Sequence, residues 1–230
     1  MDVGAGTRAP RGSRRRPDAT PPEVERLKPR SGLSRAEVVA HQRQRIFRGL
    51  ATALAYHGYE DTKVTDVVEL ARLSRATFYE RFPSKEACFD AAYEDGVERL
   101  AEAVEAAAGG EREWDAAVAA GLQAGLDFLA SDPDLAHLLL VEVLAATRPA
   151  RIEHERSLQR LAEALRPPPA LPGGEVVSEE TARLLAGGLA SHLSGRLLSG
   201  EAERLPDDHG MLLEFLLAPI PAADARVAAG

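Results

Sequence analysis

The sequence predicts an all-α protein in which a small N-terminal helical domain precedes a larger one. Apolar residues recur at helical spacing from Ser34 almost to the C-terminus. No segment shows the strict alternation that is typical of a half-buried strand. Glycine and proline interrupt the pattern where helices would end. We therefore expect a head at residues 34–83, a body at 84–221, and tails at 1–33 and 222–230.

The first predicted helix begins at Ser34 and ends at Gly58. A glycine directly after the last apolar position is typical of a helix C-terminus. Tyr59 and Val64 follow as further expected core residues. The apolar positions of the helix itself are Val39, Ile46, Phe47, Leu50, Ala53 and Leu54.

Residues 67–82 predict a helix, a tight turn and a second helix. Ser74 is a suitable N-cap for the second of these helices, and Pro83 disfavours a helical residue before it and so ends the element. Ser84 can then cap a long following helix. The residues expected to face the interior of the hairpin are Val67, Val68, Ala71, Leu73, Phe78 and Phe82.

The outer side of the helix after Ser74 carries Arg75, Ala76, Thr77 and Tyr79. Such side chains can reach phosphates, base edges and thymine methyl groups. A helix that is held from below by aromatic residues and shows this set outward indicates DNA binding in a major groove. The alternative is a structural helical hairpin whose arginine and tyrosine are merely solvated.

Two stretches of this region resemble the N-terminal signature of the TetR family of transcriptional regulators, and the likeness extends from Ile46 to Phe89. The resemblance implies a homodimer that binds a palindromic DNA operator, a body that binds a small effector, and repression more than activation. By position it also implies a set of DNA-facing residues. The stretches are residues 58–64 (GYEDTKV) and 73–86 (LSRATFYERFPSKE), and the implied DNA-facing residues are Thr62, Lys63, Thr65, Ser74, Arg75, Ala76, Thr77, Tyr79 and Lys85.

Arg72 departs from the family pattern, which usually has glycine in this turn. A non-glycine residue in a left-handed conformation costs on the order of 1 kcal/mol. Either the turn differs slightly, or Arg72 contacts a phosphate that offsets the strain.

Charge is distributed unevenly along the chain. The whole chain has a net charge of -8, yet residues 1–90 hold 17 basic and 12 acidic residues, whereas the remainder holds 11 and 24. Net +5 for residues 1–90 and net -13 for the remainder favour a head-first approach to DNA. Residues 1–33 are basic, rich in proline and poor in large apolar residues, so we expect a disordered tail that either follows DNA or is simply solvated.

The body is predicted to consist of helices only. They are expected over residues 84–107, from Trp114, after the N-cap Asp132, over 149–165, over 178–198 and around 211–216. Two apolar faces near the C-terminus favour a dimer contact, since small residues let helices approach closely. The alternative is that these rows pack internally. The residues predicted at the contact are Leu185, Gly187, Leu189, Ser191, His192, Gly195, Met211, Leu212 and Phe215.

An effector pocket is predicted in the body from polar and aromatic side chains embedded in apolar helices. The candidates are Tyr93, Trp114, His137 and Glu142. Each could instead be a hydrogen-bonded core residue. Because aromatic content is 5%, we expect an aliphatic pocket for an apolar or amphipathic ligand.

Enzymatic function is not predicted. The six histidines are scattered, and no nucleophile elbow, phosphate loop or dinucleotide motif occurs. We expect no metal and no cofactor. One cysteine, Cys88, and the lack of a membrane-spanning apolar run favour a cytoplasmic protein. Two alternatives to a regulator are an all-helical dimeric interaction protein whose head no longer binds DNA, and a helical enzyme of unknown type.

Overall fold

The computed structural model describes residues 34–168 and 177–219, which form nine α-helices and two 3₁₀ helices and contain no strand. The all-α prediction is therefore confirmed. The predicted tails at 1–33 and 222–230 lie outside the described residues. The helices are α1 (Arg35–His57), α2 (Val64–Ala71), α3 (Arg75–Tyr79), α4 (Lys85–Ala108), α5 (Trp114–Ser131), α6 (Pro133–Leu140), α7 (Arg148–Ala164), α8 (Glu179–Leu198) and α9 (His209–Leu217).

Short 3₁₀ helices follow α6 at Glu142–Leu144 and precede α9 at Ala202–Asp208. The first contains Val143. Val143 is fully buried but lies beyond the end of α6, because the chain tightens there into a 3₁₀ turn.

Side-chain caps start the helices at the predicted places. The Asp132 carboxylate accepts a hydrogen bond from the Leu135 amide at 3.1 Å, and Pro133 occupies the first helical position. Serine hydroxyls accept equivalent bonds at the starts of α1, α3, α4 and α8. These capping serines are Ser34, Ser74, Ser84 and Ser178.

Helices α1, α2 and α3 form the head around an aromatic cluster. Phe78 is fully buried, and its ring centroid lies 5.9 Å from that of Phe82, which in turn lies 5.7 Å from Phe47. Gly49 allows α1 and α2 to approach closely, because a Cβ atom there would lie 2.7 Å from the carbonyl oxygen of Val67. These rings belong to a hydrophobic core that continues from the head into the body.

The turn between α2 and α3 contains a residue in the left-handed conformation, at the position where the resembling family usually has glycine. Arg72 has φ 53° and ψ 44°, and the Leu73 amide donates to the Val68 carbonyl at 2.9 Å. The turn geometry is thus retained despite the arginine, which rules out a differently shaped turn.

Arg45 of α1 braces this turn. One of its guanidinium nitrogens donates to the Ala71 carbonyl at 2.5 Å and to the Arg72 carbonyl at 2.8 Å. Carbonyls at a helix C-terminus lack partners within the helix, and a cation next to them is favourable. Arg45 therefore helps to fix the position at which α3 begins.

The head is joined to the body by buried and half-buried polar contacts. The Thr52 hydroxyl donates to the Asp134 carboxylate at 2.8 Å, and the Tyr59 amide donates to the Glu142 carboxylate at 2.6 Å. Asp134 lies at the start of α6, and Glu142 follows its end. Helix α6 thus holds α1 and the turn after it.

Helices α8 and α9 are held by an ionic network centred on Asp208. Arg196 donates two hydrogen bonds to its carboxylate, at 2.7 and 2.5 Å, and His192 lies 2.8 Å from the same group. These hydrogen bonds, chiefly from Arg196, lower the pKa of Asp208 to about 2.

Arg45→Met is expected to lower the free energy of unfolding by about 1.5–3 kcal/mol, because two carbonyls lose charged donors. Arg43→Met is the matched control, since Arg43 is an exposed residue of the same helix that only covers the Phe47 ring at 4.9 Å. Urea unfolding measures both. Equal effects of the two substitutions would contradict the brace.

Asp208→Asn is expected to destabilise the protein at pH 7, with a deficit that shrinks as the pH falls from about 4 to about 2. The lowered pKa means that the carboxylate stabilises the folded chain above its usual pKa of 3.8 and loses this effect as it is protonated near 2. Thermal melts of both proteins across this range measure the difference.

Asp207→Asn serves as its control, because Asp207 is an exposed neighbour with a single surface contact to Arg204 at 3.5 Å. A deficit for Asp208→Asn that persists unchanged at pH 2 would argue against the carboxylate as its cause.

Candidate DNA-binding and dimer surfaces

The outer face of α3 is the candidate DNA-binding surface. Arg75 and Ala76 are exposed, and Tyr79 is 50% exposed although it follows the fully buried Phe78. The Arg75 side chain makes no hydrogen bond or ion pair with any residue in the described ranges. Burial of Phe78 turns these three neighbours outward, where they can contact a ligand.

Ser74 and Thr77 bind each other. The Ser74 hydroxyl accepts from the Thr77 amide at 3.0 Å and lies 2.9 Å from the Thr77 hydroxyl. Both residues therefore cap the start of α3. The side chains of Arg75, Ala76 and Tyr79 are the ones directed to solvent.

Helix α2 precedes α3 in the chain, and the residues at its start were also predicted to contact DNA. Lys63 and Thr65 are exposed, and α2 begins between them at Val64. The first amides of a helix and a nearby lysine favour an anion. Lys63 and Thr65 are thus accessible to a phosphate, and their contact with DNA stays a prediction.

Thr62 and Lys85 are placed differently from the expectation. Thr62 is 2% exposed, and its hydroxyl donates to the Gly58 carbonyl at 2.7 Å. The Lys85 ammonium donates to the Tyr59 carbonyl at 2.6 Å and to the Thr62 carbonyl at 3.0 Å, and it lies 4.4 Å from the centre of the Tyr59 ring. Both side chains brace the segment between α1 and α2 because its carbonyls need donors.

The four predicted effector residues are not brought together. The Tyr93 hydroxyl lies 3.0 Å from Nδ1 of His154 in α7, and the Trp114 indole donates to the Ala164 carbonyl at 3.3 Å. Glu142 contacts the Tyr59 amide, and its other oxygen lies 3.4 Å from His137. His137 and Glu142 lie beside each other, whereas Tyr93 and Trp114 contact His154 and Ala164 of α7. No contact within the described residues joins all four into one pocket, and their binding of an effector stays a prediction.

Tyr93 and His154 form a buried polar pair between α4 and α7. Burial raises the pKa of the Tyr93 hydroxyl and lowers that of the His154 imidazole, so both stay neutral near pH 7. The pair satisfies two polar groups within the core and was not predicted. Its sequence signal is weak, because a partner 61 residues away cannot be identified from spacing.

The predicted dimer contact divides into buried and exposed residues. Leu185, Leu189 and Leu212 are at most 6% exposed and pack inside their own chain, so the leucine row is not available to a partner. Six exposed residues and the half-buried Gly187 form another stripe along α8 and α9, which we call the α8–α9 stripe: Leu184, Gly187, Ser191, Gly195, Leu198, Met211 and Phe215.

Two features mark the α8–α9 stripe as apolar and open. Leu184 is 76% exposed and Met211 50% exposed. A Cβ atom built on Gly187 or Gly195 would meet nothing within 4 Å. His192, which was also predicted here, is instead engaged by Asp208 at 2.8 Å.

No three His, Cys, Asp or Glu side chains in the described part of the chain are grouped as metal ligands. Within the same ranges, no helix combines the length and apolar character needed to span a bilayer. Cys88 is buried, and burial raises the pKa of its thiol, which makes it a poor nucleophile.

The comparisons with known proteins agree with this architecture. Residues 46–92 match the family model of bacterial regulatory proteins of the tetR family. No curated protein sequence matched the chain.

Solved structures of regulators have the same fold. FadR, a fatty acid degradation regulator from Bacillus halodurans, has a TM-score of 0.68 and 17% identity over 76% of this chain and 94% of its own. FadR from Bacillus subtilis, solved in complex with stearoyl-CoA, has a TM-score of 0.62 and 17% identity over 77% and 99%. A TetR family regulator from Marinobacter aquaeolei VT8 has a TM-score of 0.60 and 15% identity over 80% and 98%.

The matched segment begins in α1 and ends in α4, so it contains the whole turn and all of α3. The N-terminal segment of the chain thus matches the tetR family of bacterial regulatory proteins, and the described residues share the fold of the solved TetR-family regulators.

Proposed function

We propose that this protein represses transcription by binding a palindromic DNA operator as a homodimer and leaves the operator when a small effector binds. The observation that carries the proposal is the outward face of α3. Arg75 and Tyr79 are directed to solvent there while Phe78 anchors the helix from beneath. An arginine on such a helix can donate two hydrogen bonds to guanine, and a neighbouring tyrosine can bind a phosphate.

Charge supports this assignment. The first 90 residues carry net +5 and the others net -13, so the field of the molecule turns the head towards a polyanion. Exposed Lys63 extends the positive surface beyond α3. Affinity for DNA should consequently fall as salt rises.

A homodimer through the α8–α9 stripe would supply the second α3. Two such helices must lie about one duplex turn apart, roughly 34–36 Å, to enter successive major grooves. Exposed leucine and methionine side chains beside open glycines suit a close contact between identical helices.

Response to an effector would reach the head through α6. This helix holds α1 by Asp134 and the following turn by Glu142, so a movement of α6 changes the position of α3. The proposal places the protein in the cytoplasm, where operator DNA and metabolites are both accessible.

A dimeric interaction protein without DNA binding remains the alternative function. It requires the same α8–α9 stripe but makes no use of Arg75 or Tyr79. DNA binding at low salt separates the two functions directly.

Arg75→Ala and Tyr79→Ala are each expected to weaken binding to the DNA upstream of the protein's own gene by about 10- to 100-fold, since each removes one base or phosphate contact. A gel shift at low and moderate salt measures this. Arg112→Ala is the control, because Arg112 is exposed in the segment between α4 and α5. Failure of the unaltered protein to bind any DNA at low salt would instead favour the interaction protein.

Leu184→Glu combined with Phe215→Glu is expected to convert the dimer to monomers, because four carboxylates would face one another across an apolar contact. Sedimentation velocity measures the change. Leu144→Glu is the matched control, since Leu144 is 61% exposed but lies outside the α8–α9 stripe. A double variant that remains dimeric would place the subunit contact elsewhere.

A further inference from the structure

Helices α7 and α8 pack side by side and leave an open groove of about 650 Å³ between them. Its size lies within the range of small-molecule sites. We call it the arginine groove. It is lined chiefly by Arg148, Arg151, Ile152, Arg156, Leu158 and Arg183. Gly187 of the α8–α9 stripe also lines it, so the groove borders the proposed subunit contact.

The charge of the arginine groove is opposite to that of its surroundings. Residues 91–230 contain 11 basic and 24 acidic residues, and four of these 11 line this one groove. Glu155 is the acidic residue that lines it. An anion that is repelled by the remainder of the body is therefore attracted here.

Two of the four arginines have their donors available. Arg156 is paired with Glu153 at 3.4 Å, and Arg183 with Glu179 at 2.9 Å. The side chains of Arg148 and Arg151 form no hydrogen bond or ion pair with residues in the described ranges. Each guanidinium offers five N–H donors in a planar arrangement that matches carboxylate and phosphate groups.

The floor of the groove is partly apolar. Ile152 is 42% exposed and lies one residue after Arg151 on α7, and Leu158 lies further along the same helix. These apolar side chains do not favour the binding of an anion without apolar groups, whereas burying an alkyl chain against them is favourable. The lining thus suits a ligand with an anionic head and an apolar tail.

The groove begins at a contact with the helix that leads to the head. Arg148 is the first residue of α7, and the capping Thr147 hydroxyl hydrogen-bonds to Asp90 of α4. Phe89, the neighbour of Asp90, stacks edge to face on Tyr59 with ring centroids 5.2 Å apart. A ligand at this end of α7 would therefore act close to the connection between body and head.

From these observations we infer that the arginine groove binds an anionic amphiphile, whose phosphate or carboxylate lies between Arg148 and Arg151 and whose alkyl chain covers Ile152. The inference rests on the proposed function in assigning this ligand as the effector. Its binding step does not require DNA and is tested separately.

Isothermal titration of the full-length protein with octyl phosphate tests the site. We expect saturable binding that is weakened about tenfold or more by Arg148→Gln combined with Arg151→Gln, because each removes charge-assisted hydrogen bonds. Arg112→Gln is the control and should bind as the unaltered protein does. Octanol and inorganic phosphate, which each supply half of the ligand, should bind at least tenfold more weakly than octyl phosphate.

Three results would overturn the inference. Unchanged octyl phosphate affinity in the double variant would show that the ligand binds elsewhere. Equal affinity for inorganic phosphate would reduce the groove to a simple anion site. The third result is that the unaltered protein binds no octyl phosphate while the double variant sediments as a monomer. It would show that Arg148 and Arg151 form ion pairs with acidic residues of a second copy.

The same titration distinguishes this inference from the proposed function. Octyl phosphate that binds through Arg148 and Arg151 while the protein ignores DNA would leave the site valid and the regulator refuted. DNA binding without octyl phosphate binding would do the reverse.

Discussion

Burial of Phe78 is the interaction on which the rest of the DNA-binding face depends. Helix α3 has five residues, a length at which an isolated helix is unstable in water. Its geometry therefore comes from the Phe47, Phe78 and Phe82 rings packed between α1 and the turn, together with the Ser74 cap. Arg75 and Tyr79 are presented outward because Phe78 is directed inward on the same short helix.

The parts of the fold that the sequence predicts are those with local causes. A capping serine or aspartate, the next apolar position and a terminating glycine or proline lie within a few residues of one another, so helix bounds and the turn before α3 could be predicted. The conformation of Arg72 was left open by the sequence, which also allowed a slightly different turn, and the structure shows it to be left-handed. The stabilising Arg45 could not be predicted, because its contact spans 26 residues.

The parts that were predicted wrongly depend on which of two adjacent faces turns inward. Leu184 and Leu185 are neighbours in α8, yet one is 76% and the other 6% exposed, and only packing against the rest of the body decides between them. Long polar side chains give a similar ambiguity. Lys85 can reach outward to a phosphate or back to the carbonyls of Tyr59 and Thr62, and the structure shows the second arrangement. Tyr93 and Trp114 contact α7, whereas His137 and Glu142 lie beside each other, and spacing along the chain does not indicate this division.

Helix α6 and the 3₁₀ helix after it contact the head at two points. The Thr52 hydroxyl donates to the Asp134 carboxylate, and the main-chain amide of Tyr59 donates to the Glu142 carboxylate. The hydrogen bond to Glu142 comes from the backbone, so it survives any substitution at position 59 except proline, which has no amide proton. The first depends on a hydroxyl and can be lost by a single substitution. The two points should therefore differ in how substitutions accumulate. Most substitutions at position 52 remove a contact between head and body, whereas most substitutions at position 59 retain one.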